Sequence, residues 1–424
     1  MGFVPGIYYG WYLAMALGIT TIISYGTSQY LFGLLLVPWV QAFGWSRADL
    51  SGVYSLGILV AGAAGIPIGR LVDRIGARWP MAVGSLIAAA SLWGLGRVHR
   101  LSELYLVWGL GMGLAMALTY YPVSLSVIAI WFRRRRPQAL SLVTFLGGLA
   151  APIFVPVSAA LITRYGWPRA LALLALVQLL IAFPLHAALL RRRPEDLGLS
   201  PDETPLVPDP GADRKAAGAG LEGVEMRHAV AMRPFWTVGI ATALARLASN
   251  LLLAHLVAYL SLEGFPAAVG AGVMGAVGLA SVGGRMALGA LARRWSAQVL
   301  YAVTLGVQAA SVAFLLVPHR PGVLVAYSLL YGSSSGALAP MPAAVLAAHF
   351  GRRAYASISL LLNFLVSLGA SAGPVLGGLL FDATGSYRAA LLLALVALGS
   401  GSLTMWATPP EPASTPSASS RAPA

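Results

Sequence analysis

Two arginines, Arg246 and Arg285, stand inside long apolar stretches where a charge is costly. Arg285 belongs to Gly278 to Arg294, GLASVGGRMALGALARR. Read as a helix at about 1.5 Å per residue, this run sets Arg285 roughly 12 Å before the pair Arg293 and Arg294 at a membrane surface. Arg246, in ATALARLASN, comes about 13 residues into its own apolar segment. A guanidinium keeps its proton even there, so each must face a protein interior or a wet cavity. None of the 14 acidic residues falls deep in an apolar segment. Without a carboxylate partner in the chain, the chemistry these arginines offer is capture of an anion, a carboxylate held through two parallel N–H donors. The competing reading has carbonyls or hydroxyls satisfying at least one of them.

Other polar residues share those stretches. Asn250 follows Arg246 by one helical turn and can donate to the same anion or bridge two helices. Tyr120 and Tyr121, beside Pro122, offer hydroxyls from the first half of the chain, with aromatic packing as the alternative; Tyr25 and Gln29 are weaker candidates. Asn363 reads equally as a site amide or a packing amide. His255 lies well inside an apolar segment and is either a proton site or a histidine bonded to a neighbouring helix.

The elements that must carry these residues are membrane helices. The 424 residues are 58% hydrophobic and 10% charged, far below the roughly 25% charged residues of soluble domains. Twelve apolar segments of spanning length can be counted, near 10–33, 50–69, 79–96, 103–131, 138–163, 168–190, 234–262, 266–292, 296–317, 321–349, 356–381 and 387–408. This organisation divides the chain into a first six-helix half (1–190), a linker (191–233), a second half (234–408) and a tail (409–424). The linker and tail, rich in Pro, Gly, Ser or mixed charge, are expected to be disordered and to face the cytoplasm. The opening MGFVPGIYYGW lacks a basic n-region and a small-residue cleavage site, so the first apolar segment is expected to be retained.

The net charge of +14 comes from 27 arginines and Lys215, in short clusters between apolar segments rather than in a basic groove, which excludes a nucleic-acid partner. With both termini and the even-numbered loops on one side, 19 of the 28 basic residues lie there, so that side is cytoplasmic. The sequence has no cysteine, which removes disulfides and thiolate chemistry; no metal or cofactor is called for. The arginine-heavy composition points to a prokaryotic inner membrane. The halves also echo each other: YGWPRALALLAL at 165–176 resembles TGSYRAALLLAL at 384–395, the mark of a duplicated six-helix unit.

At 69–78 the chain reads GRLVDRIGAR. Gly69, Asp73, Arg74, Gly76 and Arg78 match the loop between helices two and three of the major facilitator superfamily, which the chain resembles over nearly its whole length. Glycines suit the turn, Asp73 can accept from helix amino-terminal N–H groups, and the arginines hold the surface, so these five residues form a candidate gate. In the second half the motif is degraded, with Arg293 in place of the acid and Ser296 in place of the second glycine. YYGWYLA at 8–14, FGWSRADLSGVYSL at 43–56 and GRMALG around Arg285 resemble the monocarboxylate and oxalate/formate porter group. That resemblance implies an all-α fold of twelve transmembrane helices and places Arg285 on the family's substrate-binding arginine of helix eight. Two departures stand out: Ser281 occupies the position of an acidic partner found in some animal relatives, and the first helix has no lysine.

GASAGPVLGG at 369–378 reads as a packing segment, its glycines permitting close approach and its proline a bend. GSSSG at 332–336 fits a nucleophile-elbow pattern and GLGMG at 109–113 part of a dinucleotide loop, but neither follows a strand, so no enzyme is expected. The expectation is a carrier, functional as a monomer among membrane lipids, for a small monocarboxylate such as lactate, pyruvate or formate. Proton symport and anion exchange are both open, with a dicarboxylate antiporter or a drug exporter as alternatives.

Overall fold

The computed structural model describes residues 8–132, 135–203, 224–292, 294–317, 321–338, 340–350 and 355–409. Arg133, Arg134, Arg293, Arg352, Arg353, residues 204–223 of the linker and the tail from 410 lie outside the described residues. Among these, twelve helical passages can be followed. The first half comprises α1 (Tyr9–Thr27 continued by Leu31–Phe43), α2 (Arg47–Ile75), α3 (Arg78–Leu95), α4 (Leu101–Trp131), α5 (Gln138–Tyr165) and α6 (Trp167–Leu189). The second comprises α7 (Arg233–Leu262), α8 (Ala267–Leu291), α9 (Ala297–Leu316), α10 (Pro321–Leu338 continued by Met341–Phe350), α11 (Tyr355–Thr384) and α12 (Arg388–Trp406). Nine of them are long and apolar enough to cross a membrane; α1 and α10 are interrupted, and α3 opens on Arg78, Trp79 and Pro80.

The expected segment edges hold within a few residues except at the end of α2, which continues past 69 to Ile75, and in α1. There the apolar run ends near residue 33, but Leu31–Phe43 carries the helix on, through LLLVPW, to a Gly44 C-cap with φ 69°. At the break at 28–30 the Ser28 hydroxyl donates back to the Ser24 carbonyl and the Tyr30 N–H reaches the Tyr25 carbonyl at 3.2 Å, one residue beyond α-helical register. α4 bends at Tyr120, whose extended backbone precedes Tyr121 and Pro122. Ser46 caps α2 and Ser296 caps α9 by accepting from Asp49 and Val299 N–H at 3.0 and 3.3 Å. At the start of α4, Glu103 accepts from the His99 and Arg100 N–H groups at 2.9 and 3.2 Å.

The halves meet along two main seams, α2 with α11 and α5 with α8, and where the second part of α1 packs on α7. Glycines act as rulers along them, because a bare Cα is needed only where backbones touch. On the first seam an added Cβ at Gly378 would lie 2.7 Å from the Ala48 Cα, and further along Ser55 Oγ donates to the Ser371 carbonyl at 2.5 Å. At Gly62 the Ser367 side chain stands off at 3.3 Å, and Gly65 and Gly69 face nothing within 4 Å. The seam is shut near the 44–46 and 385–387 loops and splays toward the chain ends. On the second seam Gly278 presses on Pro152, while Met286, two turns nearer the chain ends, is 74% exposed.

The 369–378 segment packs as its composition implied. Gly369 and Gly373 abut the Ala243 and Leu247 carbonyls of α7, and Gly377 abuts His255. In GSSSG, Gly332 and Gly336 bear on α8 at the Val277 and Ser281 carbonyls, and Ser333 and Ser334 spend their hydroxyls on their own helix.

Candidate functional site

The site is built around Arg285. Its Nη1 donates to the Thr144 carbonyl across the α5–α8 seam at 2.7 Å, and its tip packs over Gly148, where no side chain intervenes. Ser141, Thr144, Phe145, Val282 and Met286 complete a cavity of about 260 Å³ around it. One donor is used, and the rest of the fork meets no acid among the described residues. Tyr121 of α4 reaches the same carbonyl at 3.5 Å.

Arg246 of α7 is exposed and makes no hydrogen bond or ion pair among the described residues. Tyr30, at the break in α1, lies within electrostatic reach of both Arg246 and Arg285. Tyr301 and Tyr331 also feel the Arg246 charge. Tyr30 and Tyr331 line a cavity between the halves. Tyr30 and Tyr331 went unnoticed in the sequence; the helix break at 28–30 and the apolar run around Tyr331 hid them.

The remaining candidates separate. Tyr120 turns away from the arginines, stacking on Tyr25 at 3.9 Å and bonding Ser28 Oγ at 2.7 Å; it borders a second cavity, of about 190 Å³, with Gly69 and Asp73. Asn250 is buried and outside the cavity that α7 lines, between the halves, with Ser249, Leu252, Leu253 and Leu256; there Ser249 accepts from the Tyr331 hydroxyl at 3.3 Å. A one-residue step rotates a helix by about 100°, enough to carry Asn250 off that face. Asn363 is exposed on α11, six residues before the Gly369 contact, which places it roughly 9 Å nearer the chain-end mouth.

His255 sits in a latch at the closed end. Its Nε2 lies 2.9 Å from the Pro374 carbonyl, an acceptor only, so Nε2 carries the proton. Nδ1 then accepts from the Tyr387 hydroxyl at 3.0 Å, and that hydroxyl accepts from Arg47 Nη1 at 2.6 Å. Asp382 caps the start of α2 through the Arg47 and Ala48 N–H groups at 3.3 and 2.8 Å, and the Arg47 guanidinium lies over the Phe381 ring at 3.8 Å. His255 is therefore bonded to neighbouring helices and not directed at the arginine site.

At the open end Asp73 and Arg74 are exposed, and Asp73 bonds no helix N-terminus among the described residues. The splayed seam accounts for this, because nothing faces Gly65 or Gly69 across it. Gly76 makes the turn with φ 84° and packs against Arg192; Arg78 Nε donates to the Ala187 carbonyl at 2.7 Å.

Two six-helix repeats meeting along paired seams around a shared cavity are the architecture of a multi-pass membrane carrier. Residues 17–319 match the family model described as Major Facilitator Superfamily. Monocarboxylate transporter 13 of Bos taurus is 30% identical over 93% of this chain and 88% of its own length, and monocarboxylate transporter 11 of Mus musculus is 32% identical over 93% and 86%. The chain belongs to the major facilitator superfamily, among the relatives of its monocarboxylate transporters. It is a transporter and not an enzyme. A bacterial homologue of the human lysosomal transporter Spinster, solved in an inward-facing, unoccupied conformation, shares the fold with a TM-score of 0.65 at 17% identity, covering 96% of this chain and 95% of that one.

Proposed function

We propose that this protein is a secondary carrier of a small monocarboxylate, working by alternating access with Arg285 as the carboxylate receptor. The observation that carries the reading is the state of Arg285: fixed at the seam between the halves by one bond to the Thr144 carbonyl, with the rest of its guanidinium fork unopposed by any acid among the described residues. An anion on that fork makes the bidentate pair a lysine cannot. Arg246, Tyr121 and Tyr30 hold its second polar group.

Closing the chain-end mouth around two unneutralised guanidinium groups carries a desolvation cost that a bound anion offsets. The loaded carrier therefore switches sides more readily than the empty one, which favours exchange of one anion for another. In proton symport the proton travels on the substrate or a linked water, since arginine does not release one. A dicarboxylate reading draws on the second arginine, which would take the far carboxylate. The excess of arginine in the even-numbered loops supports a cytoplasmic location for the open end and both termini, in a prokaryotic inner membrane. The protein acts as a monomer.

The test is uptake of labelled lactate into proteoliposomes, comparing an inward proton gradient over an empty lumen with a lumen preloaded with unlabelled carboxylate. Uptake only with preload establishes exchange, and accumulation on the gradient alone establishes symport. No uptake of any monocarboxylate under either condition defeats the reading.

A further inference from the structure

We propose that this protein binds an anionic phospholipid of the leaflet around the chain-end mouth, with its phosphate on Arg192 and Arg193 and one acyl chain in the groove between α2 and α4. The site shares no residue with the carboxylate receptor.

α6 ends at Leu189, and the chain then turns through three consecutive arginines. Arg191 Nη1 donates to the Ala188 and Leu190 carbonyls at 2.7 and 3.0 Å, and the Arg191 carbonyl accepts from Trp131 Nε1 at 3.4 Å, so the turn is tied to both α6 and α4. The Arg192 stem lies over the turn between α2 and α3, where a Cβ at Gly76 would stand 2.9 Å from its Cγ. Arg192 and Arg193 are exposed and form no ion pair among the described residues. With Arg191, Asp73 and Ser126 they border a cavity of about 40 Å³.

Its size and charge select the headgroup. The volume is little more than the ~30 Å³ share of one water, which admits phosphate oxygens but no sugar or base. Three guanidinium groups face one carboxylate, so a headgroup of net negative charge suits them. Ser126 Oγ donates to the Val123 carbonyl at 2.7 Å and keeps its lone pairs for a headgroup hydroxyl.

Depth and shape select a lipid over free phosphate. Trp79 is 56% exposed beneath the Arg78 guanidinium, which lies 5.0 Å from its ring; this pair marks the headgroup level, and Leu71, Ile75 and Ile130 are exposed beside it. A second cavity, of about 190 Å³, shares Val72, Asp73 and Ser126 with the first and continues along α2 to Ala61. Residues 61 to 73 span roughly 18 Å of helix. Beyond Asp73 the groove is walled by Gly69, Gly65 and Ala61 of α2 and by Val123 and Met116 of α4, and holds no further charge. A phosphate ion fills none of this length, whereas an acyl chain does. Gly62 meets the Ser367 side chain of α11 at 3.3 Å, while Gly65 and Gly69, on the same side of α2, face nothing within 4 Å. The chain therefore lies in the gap that α11 must enter for the mouth to close, and the lipid favours the open form.

The experiment uses full-length protein in a neutral detergent and measures equilibrium binding of labelled dioctanoyl phosphatidylglycerol. Unlabelled dioctanoyl phosphatidylcholine, dioctanoyl phosphatidylethanolamine, dihexanoyl phosphatidylglycerol and inorganic phosphate are the competitors. Binding should saturate, and the two zwitterionic lipids should compete roughly tenfold or more weakly than unlabelled dioctanoyl phosphatidylglycerol. At roughly fourfold per methylene, the shorter seated chain should weaken the dihexanoyl lipid by about tenfold, and phosphate should not displace the label. Arg192→Gln paired with Arg193→Gln should bring phosphatidylglycerol to the level of phosphatidylcholine. Gly65→Leu, which fills the groove from its open face, should erase the chain-length difference and keep the headgroup preference. Absence of saturable binding, a zwitterionic lipid that competes as well as phosphatidylglycerol, or unchanged binding in the paired arginine variant would overturn the anionic site. Phosphate that displaces the label as well as the lipid does, or a chain-length difference that survives Gly65→Leu, would overturn the seated chain. If neither variant can be purified, the wild-type competition series decides. Binding is read without transport, so failure here leaves the carboxylate reading to the lactate experiment.

Discussion

The Arg285 guanidinium and the Tyr121 hydroxyl converge on one acceptor, the Thr144 carbonyl, at 2.7 and 3.5 Å. The first is a charge-assisted bond of good length and the second is at the limit, so the carbonyl belongs to the arginine. Arg285→Lys keeps the charge but loses the fork; at about 1.5 to 3 kcal/mol for a bond to a charged group, exchange should fall roughly ten- to a hundredfold while the protein still folds. Tyr121→Phe should cost about threefold or less. Reconstituted exchange beside a melting curve checks both; normal transport by Arg285→Lys would remove this residue from the site.

Two glycines near Arg285 should behave oppositely when given a methyl group. At Gly148 the new Cβ would stand 2.5 Å from Arg285 Nη1, the mobile tip of a long side chain. Gly148→Ala should thus swing the guanidinium off Thr144, reducing exchange with little change in stability. At Gly284 the new Cβ would run into the Ser333 carbonyl, a backbone group that cannot move alone. Gly284→Ala should force α8 from α10 and destabilise by about 1 to 3 kcal/mol. Thermal unfolding in detergent separates the two: equal melting shifts would show that the glycines are not distinguished by what they touch.

Much of this arrangement was legible in the sequence. Long apolar runs fixed the helices, because a membrane leaves the backbone few alternatives, and an arginine inside one of them singled out the residue that bridges the α5–α8 seam. The sequence was silent wherever one residue of helical rotation decides the outcome. Asn250 and Ser249 are adjacent, yet only Ser249 faces the cavity. Tyr120 and Tyr121 are adjacent, yet the bend between them sends one to Ser28 and the other to Thr144. For His255 the sequence leaves a proton site and a helix-bonded histidine both open, because its partners, Pro374, Tyr387 and Ser51, lie more than a hundred residues away along the chain.

That latch can be tested through a convenience of composition: the sequence has no cysteine, so any introduced thiol is the sole one. Tyr387 joins Arg47 of one half to His255 of the other through a single hydroxyl. Tyr387→Phe removes both bonds while keeping the ring against Phe381. A Ser249→Cys reporter in that background should react several-fold faster with a membrane-impermeant thiol reagent added at the latch end. An unchanged rate would mean that the close backbone contact of Gly378 with Ala48 holds the seam shut without the polar chain.

The opposite end supplies the last test, because Asp73 is exposed here and its seam is open. If its carboxylate is used only when the mouth closes, Asp73→Asn should leave carboxylate binding intact and slow exchange by roughly ten- to a hundredfold, the scale of one hydrogen bond to a charged group. Gly76→Ala should differ: φ 84° disfavours any Cβ, and Arg192 already occupies the space it would enter, so this variant should lose about 1 to 2 kcal/mol of stability. Binding measured by ligand-induced thermal shift, set against exchange rates in proteoliposomes, distinguishes a closing contact from a fold contact. Weakened binding in Asp73→Asn would instead tie the acid to the open form, where the cavity it shares with Gly69 and Tyr120 would become the place to look.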